Sequence, residues 1–403
     1  MIRTLTALPL ACALTLTAVV QGGGQTLPAG PMTFADSRVV VGGDVSASIA
    51  PTDPGFFNYT DYEHTTLRMF RLALSGSLRA SQRVTILGEV QTENVDRPRP
   101  YALYVRVRPW LRHAVDIEAG RVPPAFGAFS RQTYAVDNIL IGYPLAYQYL
   151  TSLRADSLPA TADDLLRMRG RGWLSSFPIG NTRPDRGVPL VSAFRWDTGV
   201  QVHAQSERVD TTLAITSGTL SNPRVDDDNG GKQIVARVSV RPTAGLVLGA
   251  SAARGAFVAN AAAQAAGPDS KGLTQTTWGA DVEYSRGYYL ARAEAVFSAW
   301  RLPVIQAPSL NGPLRAAAVF VEGRYRIFPG LYAAARVDHL GFSEITGTTG
   351  RGTWDAPTRR IEVGGGYALQ RNLLFKASYQ HNHRDGGRVR TLGLGAVQLV
   401  YWF

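Results

Sequence analysis

The 403-residue chain has one cysteine, three lysines and four methionines, and charged residues make up 18% of it. One cysteine cannot pair within the chain, so a disulfide scaffold is excluded. Beyond the first two dozen residues there is no apolar run of the length a spanning helix needs. The nearest approach, 244–267, is mostly alanine and glycine and is broken by Arg254, Asn260 and Gln264. A polytopic helical membrane protein is thereby excluded. An acidic disordered chain is excluded too, because hydrophobic residues make up 45% and the formal net charge is +11. A membrane β-barrel is not excluded, since only half the residues of each of its strands face lipid.

The chain opens with Arg3, an apolar run from Leu5 to Val20, and Gly22-Gly23-Gly24. This order describes a secretory signal over 1–24, cut between Gly22 and Ala29. Cys12 is read as part of the discarded peptide, which leaves a cysteine-free chain suited to an oxidising compartment. Residues 25–37 form an N-terminal segment, and a barrel domain is expected over 38–403.

The dominant pattern has period two. In 316–327, Val319, Val321, Gly323, Tyr325 and Ile327 share one face, and Phe320, Glu322, Arg324 and Arg326 the other. Successive strand side chains point to opposite faces, so this is a two-faced strand. The alternation recurs in 234–241, 278–284 and 373–380. Sixteen such segments begin near 38, 66, 82, 101, 113, 193, 207, 231, 243, 274, 287, 314, 330, 358, 372 and 391. Short polar turns alternate with longer connections at 50–63, 122–192, 219–230, 256–273, 301–313, 342–357 and 384–390; only 96–100 is brief. The expected fold is all-β: a transmembrane antiparallel up-and-down barrel of about sixteen strands, with short turns at one end and loops at the other. Closure is required because lipid satisfies no open backbone edge.

The chain ends in a strand with Val397, Leu399, Tyr401 and Phe403 on one face. This ending resembles the last strand of bacterial outer-membrane barrels. The resemblance implies that Leu399, Tyr401 and Phe403 form the signal read by the barrel-assembly machinery. The whole pattern resembles that of the sixteen-stranded outer-membrane porins, general and substrate-selective, with residence in the bacterial outer membrane. The 122–192 connection follows the fifth strand, as the porin constriction loop does, which implies a loop folded into the lumen. Gly120, Arg121, Pro124, Phe126 and Gly127 also look loosely like the phosphate-selective porin group. Lys232, Lys271 and Lys376 all lie outside this loop, so a lysine ladder is not carried over.

The loop contains Thr161-Ala162-Asp163-Asp164-Leu165-Leu166-Arg167-Met168, a short helix with Thr161 as its cap and two acids in its first turn. Arg121, Arg131, Arg154, Arg167, Arg169 and Arg171 are the candidate constriction residues. Two readings stand side by side: an eyelet that attracts anions, or a solvated loop whose arginines pair with nearby aspartates. The candidate wall residues, expected to face water, are Arg106, Arg108, Asp116, Glu118, Arg237, Arg241, Asp281, Glu283, Arg324, Arg326, Arg336 and Arg360. Glu294, Glu322, Asp338, Glu362 and Lys376 belong with them. Wall bases and acids nearly balance, so the excess charge falls in loops and turns; the loop together with its entry residue Arg121 holds eight arginines against five aspartates, a net +3.

Other constellations are weaker. Asp226-Asp227-Asp228 lacks the spacing of a calcium loop. His381-x-His383 offers only two metal ligands, and His203 near Asp197 and Ser206 has no demonstrated contact of the kind hydrolysis needs. No metal site and no cofactor is expected, and export argues against nucleic acid. The expected function is passive diffusion of small hydrophilic solutes or ions with a mild anion bias. The expected partners are outer-membrane lipid and lipopolysaccharide, the assembly machinery, the solutes, and two further copies in a homotrimer. The alternative is a plugged barrel acting as a surface enzyme or adhesin.

Overall fold

In a computed structural model of the chain, the described residues are 30–403 except 61–63, 194–195, 225–229, 268–271, 304–305, 309 and 311. The signal segment 1–24, the Asp226–Asp228 run and Lys271 therefore lie outside the described residues.

Alternating side chains build one seventeen-stranded antiparallel sheet. Sixteen strands form a closed barrel: β1 Val39–Ile49, β2 Phe70–Arg79, β3 Val84–Glu93, β4 Arg99–Val107, β5 Ala114–Val122, β6 Asp197–Gln205, β7 Val209–Thr216 and β8 Gln233–Thr243 make its first half. The second half is β9 Leu246–Ala256, β10 Thr274–Arg286, β11 Tyr289–Trp300, β12 Leu314–Phe328, β13 Leu331–Phe342, β14 Thr358–Gln370, β15 Leu373–Arg384 and β16 Thr391–Trp402. The remaining strand, Met32–Phe34, folds back along Val39–Val41.

Each barrel strand pairs with its sequence neighbours, and β1 closes on β16 from Asp44↔Trp402 to Ile49↔Val397. Phe403 locks the seam: its N–H and C=O exchange hydrogen bonds of 3.0 Å with Gly43. Leu399 and Tyr401 lie on the outer side of β16, as expected of one face, with Leu399 43% exposed.

The two faces differ as the period-two pattern predicts. Leu103, Leu213, Trp278, Phe297, Val321, Val337 and Ile361 are exposed on the outside of the barrel. Their neighbours along the strands, such as Glu118, Thr212, Asp281, Glu322, Arg336 and Glu362, are buried on the opposite face. An apolar outer belt is the face a bilayer accepts, while the backbone ladder leaves no open edge. Tyr289 and Tyr325, with ring centroids 4.8 Å apart, lie near the short-turn end, as do Phe328 and Tyr367 at 6.4 Å. Amphipathic rings belong at such a membrane–water boundary.

Two boundaries differ from the sequence reading. The long connection runs over 123–196, because Leu190, Val191 and Ala193 are buried in loop packing. The N–H of Val191 bonds to Ala146 and that of Ser192 to Leu220, so this apolar stretch is not a ladder strand. Likewise β2 begins at Phe70, since Leu67 packs against Ile141 and Leu394 in a small core. Inside the long connection lie α1, Leu145–Gln148, and α2, Ala162–Met168. The α2 start is a reciprocal cap: Thr161 accepts from the Asp164 N–H, and the Asp164 carboxylate accepts from the Thr161 N–H.

Val337 is 56% exposed near the middle of β13. Val337→Arg should lower stability by about 2–4 kcal/mol if that face meets lipid. Urea titration of the barrel folded into vesicles measures this; a change no larger than that of a loop substitution would contradict a lipid-facing belt.

Candidate functional site

The 123–196 segment is irregular for most of its length, so its backbone groups need partners. The charged side chains on the buried face of the strands supply them. Arg336 donates to the Gly142 carbonyl at 2.6 Å, and Arg360 donates to Tyr143 at 2.9 Å and to Phe57 of the 50–69 loop at 2.8 Å. Lys376 donates to the carbonyls of Ala135, Asn138 (2.6 Å) and Leu140 (3.3 Å). The acids take the N–H groups: Glu362 accepts from Gly142 at 3.0 Å, Asp338 from Leu145 at 3.2 Å and Glu294 from Phe129 at 3.0 Å. The Tyr147 hydroxyl donates to the same Glu294.

The wall charges also neutralise one another. Arg336 contacts Glu322 and Asp338 at 3.3 Å and Glu362 at 2.7 Å, and every partner is almost wholly buried. Arg237 makes a two-pronged bond to Asp281 at 2.6 and 2.9 Å. Desolvating charges is costly unless they are paired and hydrogen-bonded; here most of them are both. Glycine permits the closest approach. A Cβ at Gly142 would sit 2.0 Å from Gln380 and 2.7 Å from Glu362, and one at Gly127 (φ +73) would strike Tyr147 and Glu294.

Apolar packing continues the same contact towards the loop end. Phe129, Tyr147, Leu153, Leu158, Leu165, Phe177 and Leu190 of the segment join Val235, Val296, Trp300, Ala316, Phe320 and Leu340 of the strands in one core. At the outer end Asp355 accepts N–H groups from Ser152, Gly170 and Ala356 at 2.7–2.8 Å. Burial still raises its carboxyl above the usual range against those bonds. Asp156 is also desolvated, but Arg154 and Asn181 hold its carboxyl below the usual range.

These contacts correct the expectation that the whole wall faces water. Arg336 and Arg360 are 0% exposed, and Arg237, Glu294, Glu322, Asp338, Glu362 and Lys376 are also buried. The physical reason is the segment, which takes the space and hydrogen-bonding capacity that solvent would have had. Asp116, Glu118 and Asp281 are nearly covered too. Arg106 stands beside Glu118 in register, and Arg108 binds Asp116 at 2.8 and 2.7 Å. Glu283 pairs with Arg292 at 2.7 Å. Arg241, Arg324 and Arg326 lie near the short-turn end, half-buried or exposed.

The candidate constriction arginines do not form one ring. Arg154 is fully buried, bonds to Asp156 and also holds the Ser175 and Arg183 carbonyls, so it staples the segment to itself. Arg167 is exposed and pairs with Asp164 at 3.0 Å, Arg169 donates to Asp355, and Arg171 is exposed. Arg131 ends a short 3-10 turn and lies within electrostatic reach of Asp210 and Asp281. Arg121 donates to the carbonyls of Trp196 and Pro100 and lines a cavity.

That cavity, of about 830 Å³, separates the segment from β3–β5 at the loop end. Sequence reasoning counted Arg186 among the loop arginines but missed most of the other polar lining: His64, Glu93, Asp96, Arg97, Arg99 and Arg224. The Asp96-Arg97-Pro98-Arg99-Pro100 run, in the one brief loop, was the available signal. Of the weaker constellations, Asp197 accepts N–H groups of Thr198, Gly218 and Arg224, and Ser206 bonds within its turn to Val209. Neither meets His203, which bonds to Thr212 at 3.1 Å. His383 pairs with Asp385 at 3.0 Å. Among the described residues no group of three or more His, Cys, Asp or Glu could hold a metal.

No protein-family model and no curated protein matches the sequence. Solved structures do match the fold. The anion-selective porin from Comamonas acidovorans aligns over 91% of this chain and 99% of its own, at TM-score 0.54 and 8% identity. The outer-membrane channel DcaP of Acinetobacter baumannii aligns over 93% and 100%, at 0.52 and 12%. OmpT, an outer membrane protein of Vibrio cholerae in trimer form, aligns over 91% and 99%, at 0.52 and 12%. The chain has the sixteen-stranded fold of the bacterial outer-membrane porins.

Removing Arg336 would leave Glu322, Asp338 and Glu362 sharing a dry site. Arg336→Ala should cost about 3–5 kcal/mol and expose 123–196 to trypsin in the folded barrel. An unchanged urea midpoint together with an unchanged digestion pattern would show that the network does not hold the segment.

Proposed function

We propose that this protein is an outer-membrane porin through which small hydrophilic solutes diffuse passively, and that it is not an enzyme. In this reading the 123–196 segment is folded into the lumen and closes off the β7–β15 side, leaving the path along β3–β6. The observation that carries it is the contrast between the two sides. Arg336, Arg360, Glu362, Gln380 and Asn382 are 0% exposed, whereas the mouth cavity opens beside β3–β5. A barrel of this size leaves a lumen wide enough for water once it is not filled by side chains.

The cavity's Arg97, Arg99, Arg121, Arg186 and Arg224 face Glu93, Asp96, Asp156 and Asp185. A mouth of nearly balanced sign supports only a mild anion bias, set by focusing in a narrow passage. Assembly through the Leu399–Tyr401–Phe403 ending, export by the 1–24 signal and a homotrimer like that described for the Vibrio cholerae neighbour belong to the same reading. One observation favours a second reading, a plugged barrel displaying its loops as an adhesin: the segment's core is packed and hydrogen-bonded rather than hydrated.

Purified protein in a planar bilayer separates the two. Stepwise conductance is expected; none at any voltage would sink the porin reading. In a salt gradient, replacing Arg97, Arg99 and Arg186 by Ala should move the reversal potential toward cation preference. Replacing the exposed Arg167 and Arg171 should leave it in place. The reverse pattern would return selectivity to the 167–171 cluster.

A further inference from the structure

The outer face of β10–β13 is not uniform. Trp278, Phe297, Ala317 and Gly341 stand side by side in register across the four strands, two large rings followed by two small residues. The next row towards the loops holds Thr276, Ala299 and Arg315. This step makes an apolar groove of about 600 Å³ on the barrel exterior, closed at its loop end by Arg315 and Ser343. Trp278 and Phe297, 62% and 54% exposed, form one bank. His339 flanks the other, its Nε2 lying 3.3 Å from where a Cβ on Gly341 would be.

The His339 row continues sideways. His339, Arg359 and His383 are direct register partners across β13, β14 and β15, all on the exposed face. His383 has a carboxylate partner in Asp385, whereas Arg315 and Arg359 enter no ion pair among the described residues. Two guanidiniums thus stand on the exterior beside a groove floored by alanine and glycine. Water alone would not select this combination. A groove between aromatic and small residues accepts an alkyl chain, and guanidiniums bind phosphate oxygens in paired, charge-assisted hydrogen bonds. Fixed cations at the edge of a membrane belt attract anionic headgroups.

We propose that this surface docks a phosphorylated, multiply acylated lipid of the outer leaflet, with one acyl chain in the groove and its phosphates on Arg315 and Arg359. The proposal rests on the outer-membrane placement above but not on conduction. Charge complementarity selects this occupant over a second copy of the chain, since the exposed acids beside this row, Asp385 and Glu344, are already paired with His383 and Arg351.

The test is native mass spectrometry of the detergent-purified barrel, titrated with bis-phosphorylated lipid A. Saturable binding is expected, reduced at least about tenfold in R315A/R359A and also in Ala317→Leu, which fills the groove. Inorganic phosphate should neither bind measurably nor compete. Heat-modifiable migration on gels verifies that each variant is folded. Equal binding by wild type and both variants, or equal binding of a neutral lipid of the same chain length, would overturn the site. So would loss of oligomer in Ala317→Leu with lipid A binding intact, which would mark a contact between copies. Bilayer conductance of the same variants should equal that of wild type. A barrel that binds lipid A yet never conducts would fail the porin reading alone, and one that conducts without lipid A binding would fail this proposal alone.

Discussion

Most of this structure depends on one requirement: an irregular backbone of more than seventy residues must find a partner for each N–H and C=O away from water. A regular helix or sheet would meet that need internally. The 123–196 segment meets part of that need itself, at α1, α2, two-residue pairings such as Ser157–Leu158 with Ile179–Gly180, and turn bonds such as those of Ser175 with Asp185 and Thr151 with Val188. The barrel supplies much of the remainder, largely with charges. Arginine and lysine serve the carbonyls, aspartate and glutamate serve the N–H groups, and most of these charges, such as Arg336 with Glu362, are in turn balanced by a neighbour of opposite sign.

This explains why the wall is so evenly charged. An inward face of mixed charges looks like the lining of a water-filled pore, yet here much of it acts as a template for a second layer of chain. The template is strongest on β13–β15 and weaker on β4–β6, where Tyr104, Arg106, Arg108 and His203 keep some contact with solvent. The net positive charge of the protein therefore says little about the barrel wall. It resides at the rims, in exposed groups such as Arg171, Arg315, Arg359, Arg388 and Arg390.

The architecture was legible because the strand repeat is short and local. Val319, Val321 and Tyr325 against Glu322 and Arg324 identify two faces without any distant contact. Alternating loop lengths then give the two ends, and Thr161 with Asp164 marks a helix start within four residues. The candidate site was less legible. Alternation says which face Arg336 and Lys376 occupy, but not that Gly142 and Asn138, some two hundred residues away in sequence, would cover them. The same limit explains Leu190–Ala193: an apolar run reads as the start of a strand until a long-range core claims it. The cavity at Arg97 and Arg99 was hidden for a further reason. It is formed by the meeting of a brief loop with a long one, and neither is unusual by itself.

The separation of those partners also bears on the order in which the protein is built. Arg360 grips Tyr143 and Glu362 grips Gly142 from strands made some 220 residues later. Loop closure over such distances is slow and follows local pairing. Residues 133–150, including Tyr143, Leu145 and Tyr147, therefore precede by a long stretch of chain several of the side chains that hold them. Its docking surface is complete only once β13–β15 have joined the sheet, so the last hairpins finish both the barrel and the contact that holds the segment.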